Sequence, residues 1–431
     1  MRKKNKKLIL ISLNEINFEI VEKYVKKYNF DNLKSLIDNK KNYYTTSSEN
    51  EYEKLEPWIQ WVSAYTGLSA DDHKIFRLGD VTNKSIEQIF EKIENLNLKV
   101  GAISPMNVSN KLQSPSFFIP DPWTQTNSDG SFWSNIIKNV LIKTVNQNVK
   151  NKISLSSYIS LILIFLRFVR FKNYLSFIYL FTSSSKNKWR KAIFLDLLIN
   201  EIHIKFLKKF SPNFSNIFFN AGAHIQHHYF LKSIFLKNEN NKLNDKSDPI
   251  YDSLYFYNKI LSDYIFNDSY DYIIFTGLTQ TPNENPTYYY RLKDHKNFLS
   301  KLNINFKALY PRMSRDFLVE FENIDQSKIA LEILQNLKTE DNIKVFEKLD
   351  FRGTSIFVTL TYNKKITDKI LMNYGNKKFK LIDLVDFVAI KNGIHNEKGF
   401  LFVSNNVKNF ITNSKMNVKD IHNVILNYFQ N

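Results

Sequence analysis

Short runs that are apolar on both faces, alternating with helix-spaced segments, constrain this chain more than any other feature. Residues 7–13 (KLILISL), 98–103 (LKVGAI), 215–220 (SNIFFN) and 271–276 (DYIIFT) are such runs. Between them lie NFEIVEKYVKKYNFDNLKSLI, SIEQIFEKIENL and YDSLYFYNKILSDYIF, whose apolar residues recur at helical spacing. A strand that is apolar on both faces has to be buried on both, which is the condition of a strand inside a parallel sheet. The expected fold is therefore α/β: a mainly parallel sheet with helices on both faces.

Two segments break the alternation. Residues 131–210 are helical in pattern and hold fourteen Lys and Arg against two acids, Asp196 and Glu201. They read as a basic helical cap or insertion. Residues 305–380 contain FLVEF, IDQSKIALEILQNL, IKVFEKL and SIFVTLTY, a strand–helix–strand–strand order that reads as a small α+β insertion. The α/β core is then 1–130, 211–304 and 381–431, closed by GFLFVS and the terminal helix VKDIHNVILNYF. KNENNKLNDKSDP (237–249) reads as an exposed loop.

Composition narrows the chemistry. Of 431 residues 43 % are hydrophobic and 24 % charged, a globular balance, and ten Gly with ten Pro exclude collagen-like and Pro-rich architectures. The chain has no Cys, so disulfides, Cys-ligated zinc and a Cys nucleophile are excluded. The net charge of +18 is concentrated in 131–210. Such a patch attracts phosphates, anionic lipid or acidic glycan. The long apolar runs within it argue against a nucleic-acid surface.

The start, MRKKNKKLILISLN, is basic and then apolar, but LILISL is short for a signal-peptide core and no small-residue cleavage site follows, so it reads as a buried first strand. ISLSSYISLILIFLRFVRF (153–171) falls short of the roughly 18–20 apolar residues a spanning helix needs, and Arg167 and Arg170 interrupt it. It fits a buried helix or a basic membrane-surface helix. The expectation is a cytoplasmic protein, with peripheral contact through 153–180 placing it at the inner face of a membrane.

In open parallel sheets, sites form beyond the carboxyl ends of the strands. Asn14 and Glu15 follow the first strand, AGAHIQHHY with His224, His227 and His228 follows the third, and TGLTQTP follows the fourth. NGIHNEKG, with His395, precedes the last strand. The run EPWIQWVSAYTGLSADDH reads as a loop. In it Trp58 and Trp61 either wall a pocket presenting Gln60 or Ser63, or simply pack under the sheet. Three His in five residues, out of eight in the chain, have metal-like spacing: on a helix His224 and His228 share a face. The alternative is a helix start with exposed polar His and one buried, hydrogen-bonded His. No GxGxxG or P-loop is present.

The order of these segments resembles the alkaline phosphatase superfamily, in particular its type I phosphodiesterase/nucleotide pyrophosphatase branch. LILISLNEIN looks like the family's opening strand, and TGLSADDHKI like the segment after its nucleophile. AHIQH (223–227) sits where its D-x-x-x-H motif would, DYIIFTGLTQ matches the strand before its Asp-His pair, and GIH (393–395) followed by GFLFVSN matches its C-terminal G-x-H. The resemblance places His227 and His395 on ligand positions. Most of the family's carboxylates are replaced: its first metal Asp falls on Asn14 or Glu15, the Asp of D-x-x-x-H on Ala223, and the Asp-His pair on Gly277-Leu278-Thr279. Its nucleophile falls near Gln60 or Val62, with Ser63 one step away. The resemblance offers Asp294-His295, downstream of the fourth strand, as a candidate replacement for the missing pair.

The resemblance implies a hydrolase or transferase acting on a phosphoester-type anionic substrate, in nucleotide-sugar or surface-glycan metabolism, with a degenerate metal site. Gln60, Ser63 and His227 are the expected catalytic residues. Asn14, Glu15, Trp58, Trp61 and His228 are expected to bind substrate, and His224, His227 and His395 to hold one divalent ion, zinc or manganese. Three readings stay open: a single-metal hydrolase, a metal-free transferase or lyase with a His as base, and an inactive protein that binds a phosphorylated or sulfated ligand. The oligomeric state is unassigned.

Overall fold

Strand β1 (Leu8–Leu13) is buried along its whole length and pairs in parallel with a neighbour on each side. The computed structural model describes residues 6–38, 43–47, 49, 51, 54–147, 155–236, 247–312 and 315–431. Most of the expected 237–249 loop lies outside them. The chain forms two compact units, one from within 1–148, 152–283 and 393–431, the other within 284–392.

The first unit is built on an eight-stranded sheet. With β2 (Tyr43–Thr46), β3 (Val100–Ile103), β4 (Phe117–Ile119), β5 (Phe214–Phe219) and β6 (Asp271–Phe275), the order from one edge is β4-β3-β5-β1-β6, then Lys398–Val403, β2 and Lys415–Asn417. Only Lys398–Val403 runs against the rest, antiparallel to both β6 and β2. The expected α/β architecture is observed, with three short strands, β2, β4 and Lys415–Asn417, added to those read from the sequence.

Helices cover both faces. On one, Ile9, Ile11 and Leu13 of β1 pack with α1 (Phe18–Lys27), α2 (Asp31–Asp38) and the helices Arg190–Phe210 and Pro249–Ile265. On the other, Trp61 of α3 (Pro57–Thr66) lies edge-on to Phe218 of β5 and Phe275 of β6, at 5.1 and 5.2 Å. The segment holding α3 reads as a loop in the sequence; it is a helix because Pro57 presets its first turn and Gly67, at φ 75°, ends it in the left-handed region.

Segment 131–210 is helical as expected: Phe132–Gln147, Leu155–Phe168, Tyr174–Ser183 and Arg190–Phe210. The last of these lies in the core layer, where buried His203 bonds Ser215 Oγ (2.7 Å) and Tyr264 OH (2.9 Å). Arg170 ties the outer part of the segment to the core layer through Glu201 of helix Arg190–Phe210 and Asp263 of helix Pro249–Ile265. No helix among the described residues is long and apolar enough to cross a membrane.

The second unit has its own core, with Phe317, Val319, Leu334, Ile356 and Val358 among its members. A four-stranded antiparallel sheet, in the order Lys348–Phe351, Ser355–Thr359, Asp316–Glu320 and Ala308–Pro311, accompanies helix Ile324–Asn336. This unit is broader than 305–380. It includes Asp294 and His295: Asp294 caps helix His295–Lys301 through the Asn297 amide (3.0 Å), and His295 packs on Phe317.

Candidate metal centre

The parallel register brings the carboxyl ends of β1, β5 and β6 into line, with Leu13 opposite Phe219 and Ser12 opposite Phe275. The chain leaves β1 through a tight turn in which Asn14 N donates to Phe219 O and Glu15 N to Thr276 O, both at 3.1 Å. Glu15 is left-handed, at φ 60°, a conformation that disfavours a side chain and persists where surroundings over-determine it. Those surroundings are on hand. Gln226 Nε2 donates to Glu15 O at 2.7 Å, and Gln226 Oε1 accepts from Asn17 N at 3.1 Å. Asn17 caps α1 and also donates to Gln280 O at 2.8 Å.

β5 runs through Asn220 into helix Ala221–Tyr229, which carries the histidines. Buried Asp196, from helix Arg190–Phe210, accepts from Ala221 N (2.8 Å) and Asn220 N (3.3 Å), so a carboxylate faces the positive end of that helix. Burial pushes the Asp196 carboxyl up to about 6 despite those donors. A side chain at Gly222 would lie 2.0 Å from Ile16 Cδ1, so glycine lets the helix sit against the turn after β1. His395 arrives from strand Val385–Asn396, which pairs with Thr279–Leu292, the strand that Gln280 enters.

These segments bring Glu15, His227 and His395 together. His227 Nε2 lies 3.1 Å from Glu15 Oε2, His395 Nε2 lies 3.3 Å from the same oxygen, and the two Nε2 atoms are 3.3 Å apart. This is the one cluster of three metal-ligating side chains found among the described residues. Burial alone would raise the Glu15 carboxyl, but the charge and hydrogen bonds of His227 and His395 outweigh it and hold its pKa well below the ordinary value. The carboxylate is also fixed by amides: Gln280 Nε2 donates to Oε2 and Asn14 Nδ2 donates to Oε1 at 3.1 Å. Asn14 is held in turn by Trp61 Nε1, which donates to its Oδ1 at 2.8 Å, and by Asn220 Oδ1 at 2.9 Å from its Nδ2. Behind His395, Nδ1 lies 3.5 Å from Glu56 Oε2.

The donor set fits a divalent ion. Ligands at about 2.0 Å around a tetrahedral zinc lie about 3.3 Å from one another, close to the separations observed. A carboxylate behind the far nitrogen of a ligating imidazole is the usual means of fixing its tautomer and orientation, and Glu56 stands there for His395.

No family model and no curated protein matches the chain. Among the solved structures similar to it are three of different kinds. They are phosphonoacetate hydrolase from Sinorhizobium meliloti 1021 (9 % identity, TM-score 0.44), murine ectonucleotide pyrophosphatase/phosphodiesterase 5 (12 %, 0.39) and wild-type alkaline phosphatase PafA (10 %, 0.43). Each comparison covers 99 % of this chain, and 96 %, 95 % and 96 % of the other chain respectively.

The cluster differs from the expected ligand set in one member. Glu15, expected to touch substrate, stands with His227 and His395. His224 is exposed on its helix and turned towards His228, with ring centroids 4.6 Å apart. Asn14 is buried, with both amide atoms engaged as above. Trp61 supports it, and Trp58 Nε1 donates to Phe76 O at 3.2 Å. Gln60 is buried: its Nε2 donates to Lys54 O at 3.3 Å, and its Oε1 meets no hydrogen-bond donor among the described residues.

Ser63 is fully buried, 3.1 Å from His73 Nε2. His73 Nδ1 accepts from Ile75 N at 3.0 Å, so the proton of the neutral ring sits on Nε2 and is donated to Ser63. His73 is thus not a base toward that hydroxyl. Sequence reasoning did not single out Gln226, Gln280, Asn17, Asn220 or Glu56. Asn220 and Gln280 lie just beyond β5 and β6, where sites form, but amides carry no ligand signature; Glu56 is brought in only by the fold.

Proposed function

We propose that this protein is a metal-assisted hydrolase or transferase of phosphoester-type anionic substrates, with Glu15, His227 and His395 holding one zinc or manganese ion. The observation that carries this reading is the convergence of three ligand atoms at 3.1–3.3 Å beyond the carboxyl ends of the parallel strands. The sequence resemblance to the phosphodiesterase branch supports the substrate class. Such an ion supplies a Lewis acid that polarises a phosphoryl oxygen.

The chain's own residues set how many ions the site takes. Glu15 is the sole carboxylate in the cluster, so one dication leaves a net positive charge facing an anionic substrate, and a second would meet unbalanced repulsion. Asn14 and Gln280 fix both oxygens of the carboxylate, and Glu56 orients His395. We assign the nucleophile to water rather than Ser63, whose buried hydroxyl accepts from His73.

Metal analysis of the purified protein, followed by a panel of aryl phosphodiesters, phosphomonoesters and sulfate esters, tests the proposal. Glu15→Gln and His227→Ala are each expected to weaken zinc binding and to abolish turnover. Turnover that survives chelation refutes metal assistance. Tight metal binding with no turnover across the panel refutes the enzyme and leaves a protein that binds phosphorylated or sulfated ligands.

A further inference from the structure

The helices Leu155–Phe168 and Tyr174–Ser183 present apolar residues outward as well as inward. On the first, Ser157, Ile164 and Phe168 face inward, while Ile159, Ile162 and Leu166 are exposed, recurring at helical spacing along one outer stripe. On and just before the second, Phe177 and Leu180 are buried, while Phe171, Leu175 and Ile178 are exposed. The exposures are large: 65 % for Leu166, 87 % for Phe171 and 81 % for Leu175.

The two stripes belong to one surface. Phe165 of the first helix meets Tyr174 and Phe177 of the second at 4.8 and 5.4 Å. Both helices rest on the same support, Phe168 on Phe206 and Phe177 on Phe194 of helix Arg190–Phe210. Their opposite sides therefore face away from the body together. A contiguous exposed apolar patch of this kind marks an interaction site in a water-exposed protein.

Charge says what covers it. Arg167, Lys172, Lys186 and Lys188 are exposed on the same helices and their flanks, and Lys208 and Lys209 at the end of helix Arg190–Phe210; of these, Lys172 also lies 3.4 Å from Asp263. The only acids between 155 and 210, Asp196 and Glu201, are both buried, and Glu201 is consumed by Arg170. The outer surface of this segment is thus apolar and cationic, with no acid of its own to repel phosphate. Apolar side chains in the acyl boundary with Lys and Arg at headgroup level is the arrangement of an interfacial helix. A protein partner would need an apolar face ringed by acids; a bilayer containing anionic lipid offers both features along any direction.

We propose that this helix pair docks on the surface of an anionic lipid bilayer, with Ile159, Ile162, Leu166, Phe171, Leu175 and Ile178 inserted at the interface. The inference stands on this surface alone and does not depend on the metal centre.

Co-sedimentation of the full chain with two sets of vesicles tests it, one of phosphatidylcholine alone and one of phosphatidylcholine with phosphatidylglycerol. The wild type is expected to pellet with the anionic vesicles, and less so as salt rises. Combining Leu166→Ser, Leu175→Ser and Ile178→Ser should weaken that binding by about a hundredfold or more. Because these side chains are exposed, the variant should melt with the wild type, and a matched melting curve shows that lost binding is not lost folding. Equal affinity for the two vesicle types overturns the anionic assignment. Absence of wild-type binding, or binding unchanged in the triple variant, overturns docking. A lipid-free wild-type dimer that the same substitutions dissociate shows instead that the patch pairs two copies of the chain, and also overturns it.

Discussion

Gly393→Ala separates the geometry of the proposed metal centre from its chemistry, because it changes no ligand. The Gly393 backbone is not left-handed, so alanine is conformationally allowed there. The difficulty is space. A methyl group at this position would stand 2.2 Å from Gln280 Oε1 and 2.7 Å from Gln226 O. The first atom ends a flexible side chain, but the second is backbone of the helix that carries His227. Relief requires Gln280, which holds Glu15, to swing away, or the histidine helix to recede, or the strand bearing His395 two residues on to shift. Overpacking of this kind costs about 1–3 kcal/mol. A metal site tolerates ligand displacements of only about 0.2 Å, so any of these movements is felt by the ion. We expect zinc affinity to fall by about 10–100-fold, the range seen when outer support is lost. The assay is zinc titration against a competing chelator, with the melting temperature of the metal-free protein measured alongside. Unchanged zinc affinity with a lowered melting temperature would show that the methyl group is absorbed away from the ligands, and the proposed convergence would be refuted.

Three further outcomes are expected. Burial pushes His73 down to about 4 and His203 down to about 3, so each stays neutral in the native state while the unfolded chain takes up a proton near 6.5. Their contribution is therefore fully present above about pH 6.5 and is lost on acidification toward the native values, at about 1.4 kcal/mol per pH unit each. Burial acts oppositely on Glu91 and Asp196, raised to about 7 and about 6, so the wild-type curve is shallow and the informative quantity is a difference. Between about pH 7 and 5, wild type should lose about 2 kcal/mol more than His73→Gln in urea unfolding, and equal losses would refute a neutral buried His73. Ser63→Ala leaves the His73 Nε2 proton without this acceptor; it should cost about 1–3 kcal/mol and leave turnover intact, whereas abolished turnover in a folded variant restores Ser63 as nucleophile. Trp61→Phe keeps most of the packing on Phe218 and Phe275 but removes the donor to Asn14, and should cost about 1 kcal/mol with a measurable fall in zinc affinity. Unaltered affinity would show that Asn14 does not depend on it to hold Glu15.

Strands β1, β3, β5 and β6 were legible because burial on both faces needs uninterrupted apolar residues, and their helices because an amphipathic period is local. β4 and Lys415–Asn417 were not, since three residues carry no period. Helix α3 has its cap residues, Pro57 and Gly67, in the sequence, but its run is apolar on nearly every side and so carries no amphipathic period. At the centre, His227 and His395 were legible as ligand types after or before strands. The choice between His224 and Glu15 was not, because periodicity puts His224 and His228 on one face of a helix without saying which face meets β1.

A parallel α/β core, the absence of thiol chemistry and a basic helical segment can all be read without coordinates, since each follows from composition or from the local spacing of apolar residues. That Glu15 completes the cluster follows from the folded chain alone. Its side chain is aimed by a left-handed turn that Gln226 and Gln280, more than 200 residues away in the chain, hold in place. The same holds for the exposed stripes at 155–183: a helix apolar on all sides is ambiguous until its neighbours show which side they leave uncovered.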